Sequence, residues 1–356
     1  MRRTKKMRDR GVHVCPYWGT NQVTSAAPEL KPFMREWETY PRSTIGQRGQ
    51  IKPSIFACLD SESSADYMVW ALAKVFDDIG YTGVYIDASS HLCSNHYHGC
   101  GWRDEERGEW RPTHNMFAWR ETYKRMYKVC QERGTVMIDH GTPAICVGGF
   151  LDLNCQGESW HHEKGRQYDR LTPEIFRVSE MHHQYGVPYT WYVFHHRWRG
   201  RRHGGQVPLK DILTYTLPHY TLPFAGKDGM WPVWDVTDQF WTDSEFLPYW
   251  SPECPVSTNR ENVLATVYRQ QDNGRAWLVV ANWNTEPRDV TVAFDLDKLG
   301  LGDSVQLTRA LDHPIRHPYE PEDVDPMKNA PLKYAERRLS LSLSARNLEI
   351  IRINAH

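Results

Sequence analysis

The residues best suited to chemistry are three carboxylates: Asp87 in GVYIDAS, Asp139 in TVMIDHG and Glu158 in FLDLNCQGE. Each closes a short apolar run of the kind that forms a buried strand. Acids gathered at strand ends can divide the labour of cleaving a glycosidic bond. One carboxyl group protonates the departing oxygen, and the other attacks or activates water. The competing reading is that a strand-end acid caps the next helix or pairs with an arginine. Three such acids flanked by Trp and His favour the site.

Further candidates lie around them. Tyr17 and Trp18 end VHVCPYW, Asp139 is followed by His140, and Trp160 follows Glu158. Trp191 lies in VPYTWYVFH, and the loop LCSNHYHGCGWRDEERGEW (92–110) carries His98, Trp102 and Arg103. Flat rings suit the apolar faces of sugars, although each ring alone is equally at home in a core. The run HHRWRGRRH (195–203) adds His195 and Arg197. Its guanidinium groups suit a carboxylate or sulfate, and neighbouring acids would neutralise them equally well. Cys93, His96, His98 and Cys100 carry enough nitrogen and sulfur for zinc. Their spacing matches no known finger, so a packed active-site loop is the favoured reading, with no metal or cofactor. The adjacent pair His182-His183 falls in a helical pattern, where neighbours do not share a face.

These residues need elements to hold them. Strand patterns at 12–18, 83–89, 135–141, 150–158 and 187–195 alternate with helical patterns at 61–80, 117–134, 172–186 and 208–226. Thr172 with Pro173 starts the helix that Gly186 stops, and Gly80 and Gly134 stop others. Strand–helix alternation predicts parallel βαβ units. Acids at the strands' C-terminal ends fit the rim of an α/β (β/α)8 TIM-type barrel. A doubly wound sheet would want a glycine-rich phosphate turn, and neither GxGxxG nor GxxxxGK[ST] occurs. About six strand–helix units can be counted. MRRTKKMRDRG reads as the end of a helix, with Gly11 as its stop. Together these predict a barrel that starts near its third strand.

After residue 254 the pattern changes to NVLATVYRQ, AWLVVANWN, RDVTVAFDL, SVQLTRAL and LSLSLSARNLEIIRI, an antiparallel β-sandwich. The expected domains are therefore a barrel over 1–250 and a sandwich over 254–356. The stretch 312–336, rich in proline and charge, reads as an inserted loop.

Composition bounds the function. Of 356 residues, 43 are Lys or Arg and 44 Asp or Glu, for a net charge of −1. A nucleic-acid partner would call for a basic excess. No apolar run reaches the roughly 18 residues that span a bilayer, and the basic N-terminus has no apolar signal core behind it. A signal could lie upstream, so the compartment stays open. The eight cysteines do not decide it, and nothing fixes the oligomeric state. Tryptophan is in excess at 15, which fits a ligand groove.

The run GYTGVYIDASSHLCSNHYHGCGW, then RETYKRMYKV, DHGTP and QGESW, resembles a family of bacterial glycoside-hydrolase-like proteins of otherwise undefined function. HGCG (98–101) is the most specific piece, and the resemblance covers most of the first 250 residues. Such chains resemble sandwich–barrel–sandwich proteins, with barrels similar to those of α-galactosidase-like and N-acetylgalactosaminidase-like hydrolases. The resemblance implies that Asp87 matches the fourth-strand acid, the nucleophile in retaining barrels of this kind. It implies that Glu158 matches the sixth-strand proton donor and His140 the fifth-strand histidine. One departure is Gln156-Gly157-Glu158 where the family pattern has Asp-Gly-Glu. That implies an altered Glu158 pKa, or Asp139 or Asp152 in the missing role.

The function expected is a glycoside hydrolase acting on a glycan. Asp87 would be nucleophile or base, and Glu158 a general acid raised by burial beside Trp160. Two alternatives stand: a metal-dependent barrel hydrolase, and a non-catalytic carbohydrate-binding protein or inactive fragment.

Overall fold

A computed structural model describes residues 2–40, 44–45, 54–87, 92–140, 145–157, 160, 170–181, 186–192, 209–224, 231–311 and 332–355. The chain divides into two compact units. The first comprises 1–155 with 185–188, and the second comprises 156–184 with 189–356. The compact units part after Cys155.

In the first unit, strands β1 (Tyr17–Trp18), β2 (Gly83–Ile86), β3 (Val136–His140) and β4 (Leu153–Gln156) run parallel in that order. The register aligns their C-terminal ends: Trp18 with Ile86, Ile86 with Asp139, and His140 with Cys155. Strand β1 is shorter than the expected 12–18. Pro16 sits in that run without an N–H, so only its carbonyl bonds to β2, at Tyr85 N (3.0 Å).

Helix α1 (Glu62–Ile79) starts at Ser61, whose side chain caps Ser64 N, and stops at Gly80, which takes φ 75°. Helix α2 (Met116–Glu132) follows β2. Met68, Leu72 and Phe76 of α1, Trp119, Tyr123 and Met126 of α2, and Val84, Ile86 and Met137 of the sheet form one core. That burial fixes which sheet face meets the helices. An N-terminal helix (Arg2–Arg8) is followed by Gly11 at φ 75°, as its basic last turn predicts.

The second unit holds another parallel pair, β5 (Tyr189–Tyr192) and β6 (Leu222–Phe224). With the four above, six parallel strands lie among the described residues. Helix α3 (Pro173–Ser179) carries the expected Thr172 cap but ends at Glu180, short of Gly186. Helix α4 (Leu209–Thr216) is buried on nearly every side.

Two antiparallel sheets follow. Strands β7 (Glu245–Leu247), β9 (Val263–Gln270), β10 (Arg275–Asn282), β12 (Val305–Arg309) and β15 (Asn347–Ala355) form one sheet. Its order is β7-β9-β10-β15-β12. Strands β8 (Val256–Thr258), β11 (Arg288–Phe294), β13 (Lys333–Ala335) and β14 (Arg338–Leu343) form the other, ordered β8-β11-β14-β13. The run LSLSLSARNLEIIRI is therefore two strands, because the chain turns at Arg346 with φ 46°. Facing side chains such as Val267, Leu278, Val292, Leu341 and Ile351 make one core. The opposite face of the five-stranded sheet is covered too. Tyr268, Trp277, Val279 and Ile350 pack with Phe176, Leu213, Tyr215 and Phe240. Burial on both faces explains why β9 and β10 read as continuous apolar runs. Most of the predicted loop, 312–331, lies outside the described residues.

Among the described residues no helix is long and apolar enough to cross a membrane.

Candidate active site

Side chains alternate across a strand, and laterally paired residues share a face. The register of β1–β4 therefore sorts the candidates. Tyr17, Tyr85, His140 and Cys155 share one face, and Asp87, two residues past Tyr85, follows them. Trp18, Asp139 and Asn154 take the other face, together with Ile86, which packs in the helical core.

The first face builds a small polar cluster. The Tyr85 hydroxyl is hydrogen-bonded to His140 Nδ1. Asp87 Oδ2 lies 3.7 Å from the same nitrogen. The His140 side chain is 7% exposed and that of Asp87 27%, so the carboxylate keeps access to solvent. One ring nitrogen thus stands between a phenol and a carboxylate. A charged imidazole would pair its Nδ1–H with Asp87, and a neutral one can accept the Tyr85 proton. The Tyr17 ring, 58% exposed, lies 6.0 Å from that of Tyr85. Cys155 lies under the cluster. Burial, with the Asp139 and Asp87 charges, pushes its thiol up to about 12, so it stays an inert thiol.

Asp139 requires a correction. It is 0% exposed and belongs to the helix side, where its Oδ1 accepts from Tyr123 Oη at 3.0 Å. Tyr123 Oη in turn accepts from Thr20 Oγ1 at 3.4 Å. Its place is a buried network between sheet and helix α2, away from the face that carries Asp87. Asp139 and His140 are neighbours in sequence, and a strand sends neighbours to opposite faces. Asp152 is likewise structural in placement. Its Oδ2 accepts from Met137 N (2.8 Å), and its Oδ1 from Tyr127 Oη (3.4 Å).

The aromatic candidates separate. Trp18 packs against the helical core, leaving Tyr17 as the open ring of that pair. Trp191 is fully buried between Phe176 and Tyr215, so it is a core residue without an open face. Trp102 and Arg103 lie on a hairpin of 102–104 with 109–111. Trp102 is 50% exposed, and Arg103 Nε is 3.7 Å from Glu105. Glu158, His195 and Arg197 lie outside the described residues.

Trp160 is described, and its partner is an acid the sequence did not single out. In the second unit its Nε1 donates to Glu180 Oε1 at 2.9 Å. Burial pushes the Glu180 carboxyl up to about 7, against the lowering effect of that bond. The signal was hidden because Glu180 falls inside a helical pattern rather than at a strand end.

The loop after β2 also departs from expectation. The sulfurs of Cys58 and Cys93 are at bonding distance, as a disulfide. Cys100 Sγ lies 3.1 Å from Cys93 Sγ and 3.3 Å from Cys58 Sγ. His98 turns to Cys58 and Cys100, with all three ligand atoms within 4.8 Å of one another. Its predicted part in sugar binding gives way to this placement, because the Nε2 is buried. His96 turns elsewhere, edge-on to the Trp110 ring at 5.1 Å.

Residues 229–312 match the family model of the glycoside hydrolase 123 C-terminal domain. No curated protein sequence matches the chain. Solved structures with a similar fold include a maltogenic α-amylase, AmyB, from Thermotoga neapolitana, at 10% identity over 99% of this chain and 80% of that one, with a TM-score of 0.57. An Anoxybacillus α-amylase is 10% identical over 100% of this chain and 78% of that one, TM-score 0.57. A GH27 β-L-arabinopyranosidase from Geobacillus stearothermophilus is 10% identical over 99% of this chain and 77% of that one, TM-score 0.55. The likeness at such identities is one of fold, that of barrel glycoside hydrolases.

Proposed function

We propose that the chain is a glycosidase that cleaves a glycan with Asp87 and Glu158 as its two working carboxyl groups. The observation that carries this reading is the Asp87–His140–Tyr85 cluster at aligned parallel strand ends. The fold of glycoside hydrolases and the family-123 segment support it. Asp87 acts as nucleophile or base. His140, whose Nδ1 also bonds the Tyr85 hydroxyl, pairs with its carboxylate when the imidazole is charged, and Tyr17 offers a ring to the sugar. Glu158 stands just past β4 as the proton donor. On this reading 1–250 is a (β/α)8-type catalytic domain and 254–356 a β-sandwich domain. Trp102, Arg103, His195 and Arg197 are the further residues this reading assigns to substrate binding. The partner is a carbohydrate.

The test is a panel of aryl glycosides and glycans assayed with wild type, Asp87→Asn and Glu158→Gln. Each variant should lose at least ~10³ in kcat on any substrate the wild type cleaves, the usual weight of a nucleophile or acid–base group. Activity unchanged in both overturns the assignment. Glycan binding without turnover in the wild type identifies a binding protein instead.

A further inference from the structure

The cysteine–histidine cluster in the first unit is not used by the reaction above, yet it gathers four metal-binding side chains from distant parts of the chain. Cys58 lies between a strand (Ser54–Phe56) and helix α1. Cys93 lies on a short strand paired with 113–114, and His98 and Cys100 lie in the turn that follows. Cys58 is 1% and Cys93 3% exposed. His98 Nε2 is buried with no hydrogen-bond partner, although its ring faces two sulfurs. A disulfide between Cys58 and Cys93 accounts for two sulfurs. It leaves the third thiol and the imidazole packed against them without a role.

We propose that Cys58, Cys93, His98 and Cys100 form a Cys3His site for one structural zinc ion. The donor set is that of closed tetrahedral zinc centres. Bonds of about 2.3 Å place tetrahedral thiolates about 3.8 Å apart. Cys100, at 3.1 and 3.3 Å from its neighbours, would need to move out by about half an ångström or slightly more, and the bonded Cys58 and Cys93 sulfurs would have to part further on reduction.

The surroundings are built to hold the donors. Asn115 Nδ2 donates to Cys58 Sγ at 3.5 Å, a bond that stabilises thiolate charge, and its Oδ1 accepts from Thr113 Oγ1 at 3.0 Å. Asn95 pins the turn, donating from Nδ2 to the carbonyls of Arg35, Glu36 and Glu38 and accepting the Tyr97 N–H. Gly99 takes φ 80°, bringing His98 and Cys100 round to the same point. A disulfide and a bound ion exclude one another, because the disulfide uses two of the four donors.

The experiment measures metal directly. Full-length protein is purified under reducing conditions and analysed for zinc by mass spectrometry. Zinc affinity is titrated against a chromophoric chelator, and free thiols are counted after denaturation. The expected result is one zinc per chain and eight reactive thiols. His98→Ala and Cys100→Ser should bind zinc at least 10-fold more weakly, and Cys15→Ser should bind it unchanged. If the variants fail to fold, cobalt loading of the wild type serves, because three thiolates and one imidazole give a thiolate-to-cobalt charge-transfer band. The proposal is overturned by reduced wild type that takes up no zinc, by zinc held equally well in His98→Ala and Cys100→Ser, or by six reactive thiols with no metal. None of these readouts depends on catalysis, so they are separable from failure of the glycosidase assignment.

Discussion

Single atoms decide several placements in this chain. Gly157 follows β4 at φ 108°, and a side chain there would run into the Trp191 indole. Gly157→Ala should therefore destabilise the fold by about 2–4 kcal/mol, adding backbone strain to overpacking. Urea unfolding of wild type and variant checks this, and a difference under about 0.5 kcal/mol would contradict it. The same scale shows what the sequence could reveal. Asp87 and His140 could be singled out because one closes an apolar run and the other follows one. Asp139 was misjudged because the run fixes the strand but not which face the last residue takes. Cys58 escaped notice for another reason. It lies 35 residues before Cys93, and no local spacing ties it to the loop.

Glu180 and His219 show how elements of the second unit balance charge. Glu180 ends helix α3, and His219 lies just past α4. The Thr221 hydroxyl reaches both backbones, donating to the carbonyls of Glu180 (3.2 Å) and His219 (3.4 Å). Burial raises Glu180 to about 7 and lowers His219 to about 3. His219 is held neutral, with Nδ1 on the Tyr215 carbonyl (2.7 Å) and Nε2 toward Tyr249 Oη (3.1 Å). An acid with a raised pKa favours the folded state at low pH. That advantage fades as pH climbs from about 4.5 to about 7. A histidine with a lowered pKa favours the folded state at high pH, and that advantage fades as pH falls from about 6.5 to about 3.

The two slopes oppose each other between roughly pH 4.5 and 6.5, so their sum is nearly flat there. Glu180→Gln should expose the histidine slope. Stability should fall by up to about 1.4 kcal/mol for each unit of pH lost in that window, more steeply than in wild type. Chemical denaturation at pH 5 and pH 6.5 measures it, and parallel profiles for the two proteins would refute it. Neither residue was legible as a titrating pair, because burial of this depth comes from tertiary packing rather than from local pattern. The elements were legible: α1, α2, β2, β3 and most strands after 254 carry clear periodicity and stop signals.

At the scale of the whole molecule, many of the described tryptophans serve packing. Trp37, Trp119, Trp191 and Trp277 are among the largest fully buried side chains, while Trp70, Trp102 and Trp110 are exposed. The five-stranded sheet is the clearest case of burial on both faces. Val279 and Val280 on β10 point to opposite sides and are each 0% exposed. Val279→Ala and Val280→Ala should each cost about 2 kcal/mol, from lost methyl burial plus a small cavity. A thermal melt of each resolves this, and one silent variant would mean that only one face is truly packed.

That sheet is also assembled out of chain order. Strand β15, Asn347–Ala355, lies between β10 and β12, both of which precede it. A ribosome delivers β10 long before β15, which pairs with its second edge. Until residue 355 has emerged, the edge of β10 that β15 covers stays open. Such a nascent intermediate is a natural client for chaperones and prone to self-association. In cells, recovery of soluble protein should therefore depend on how quickly β15 is synthesised and docked.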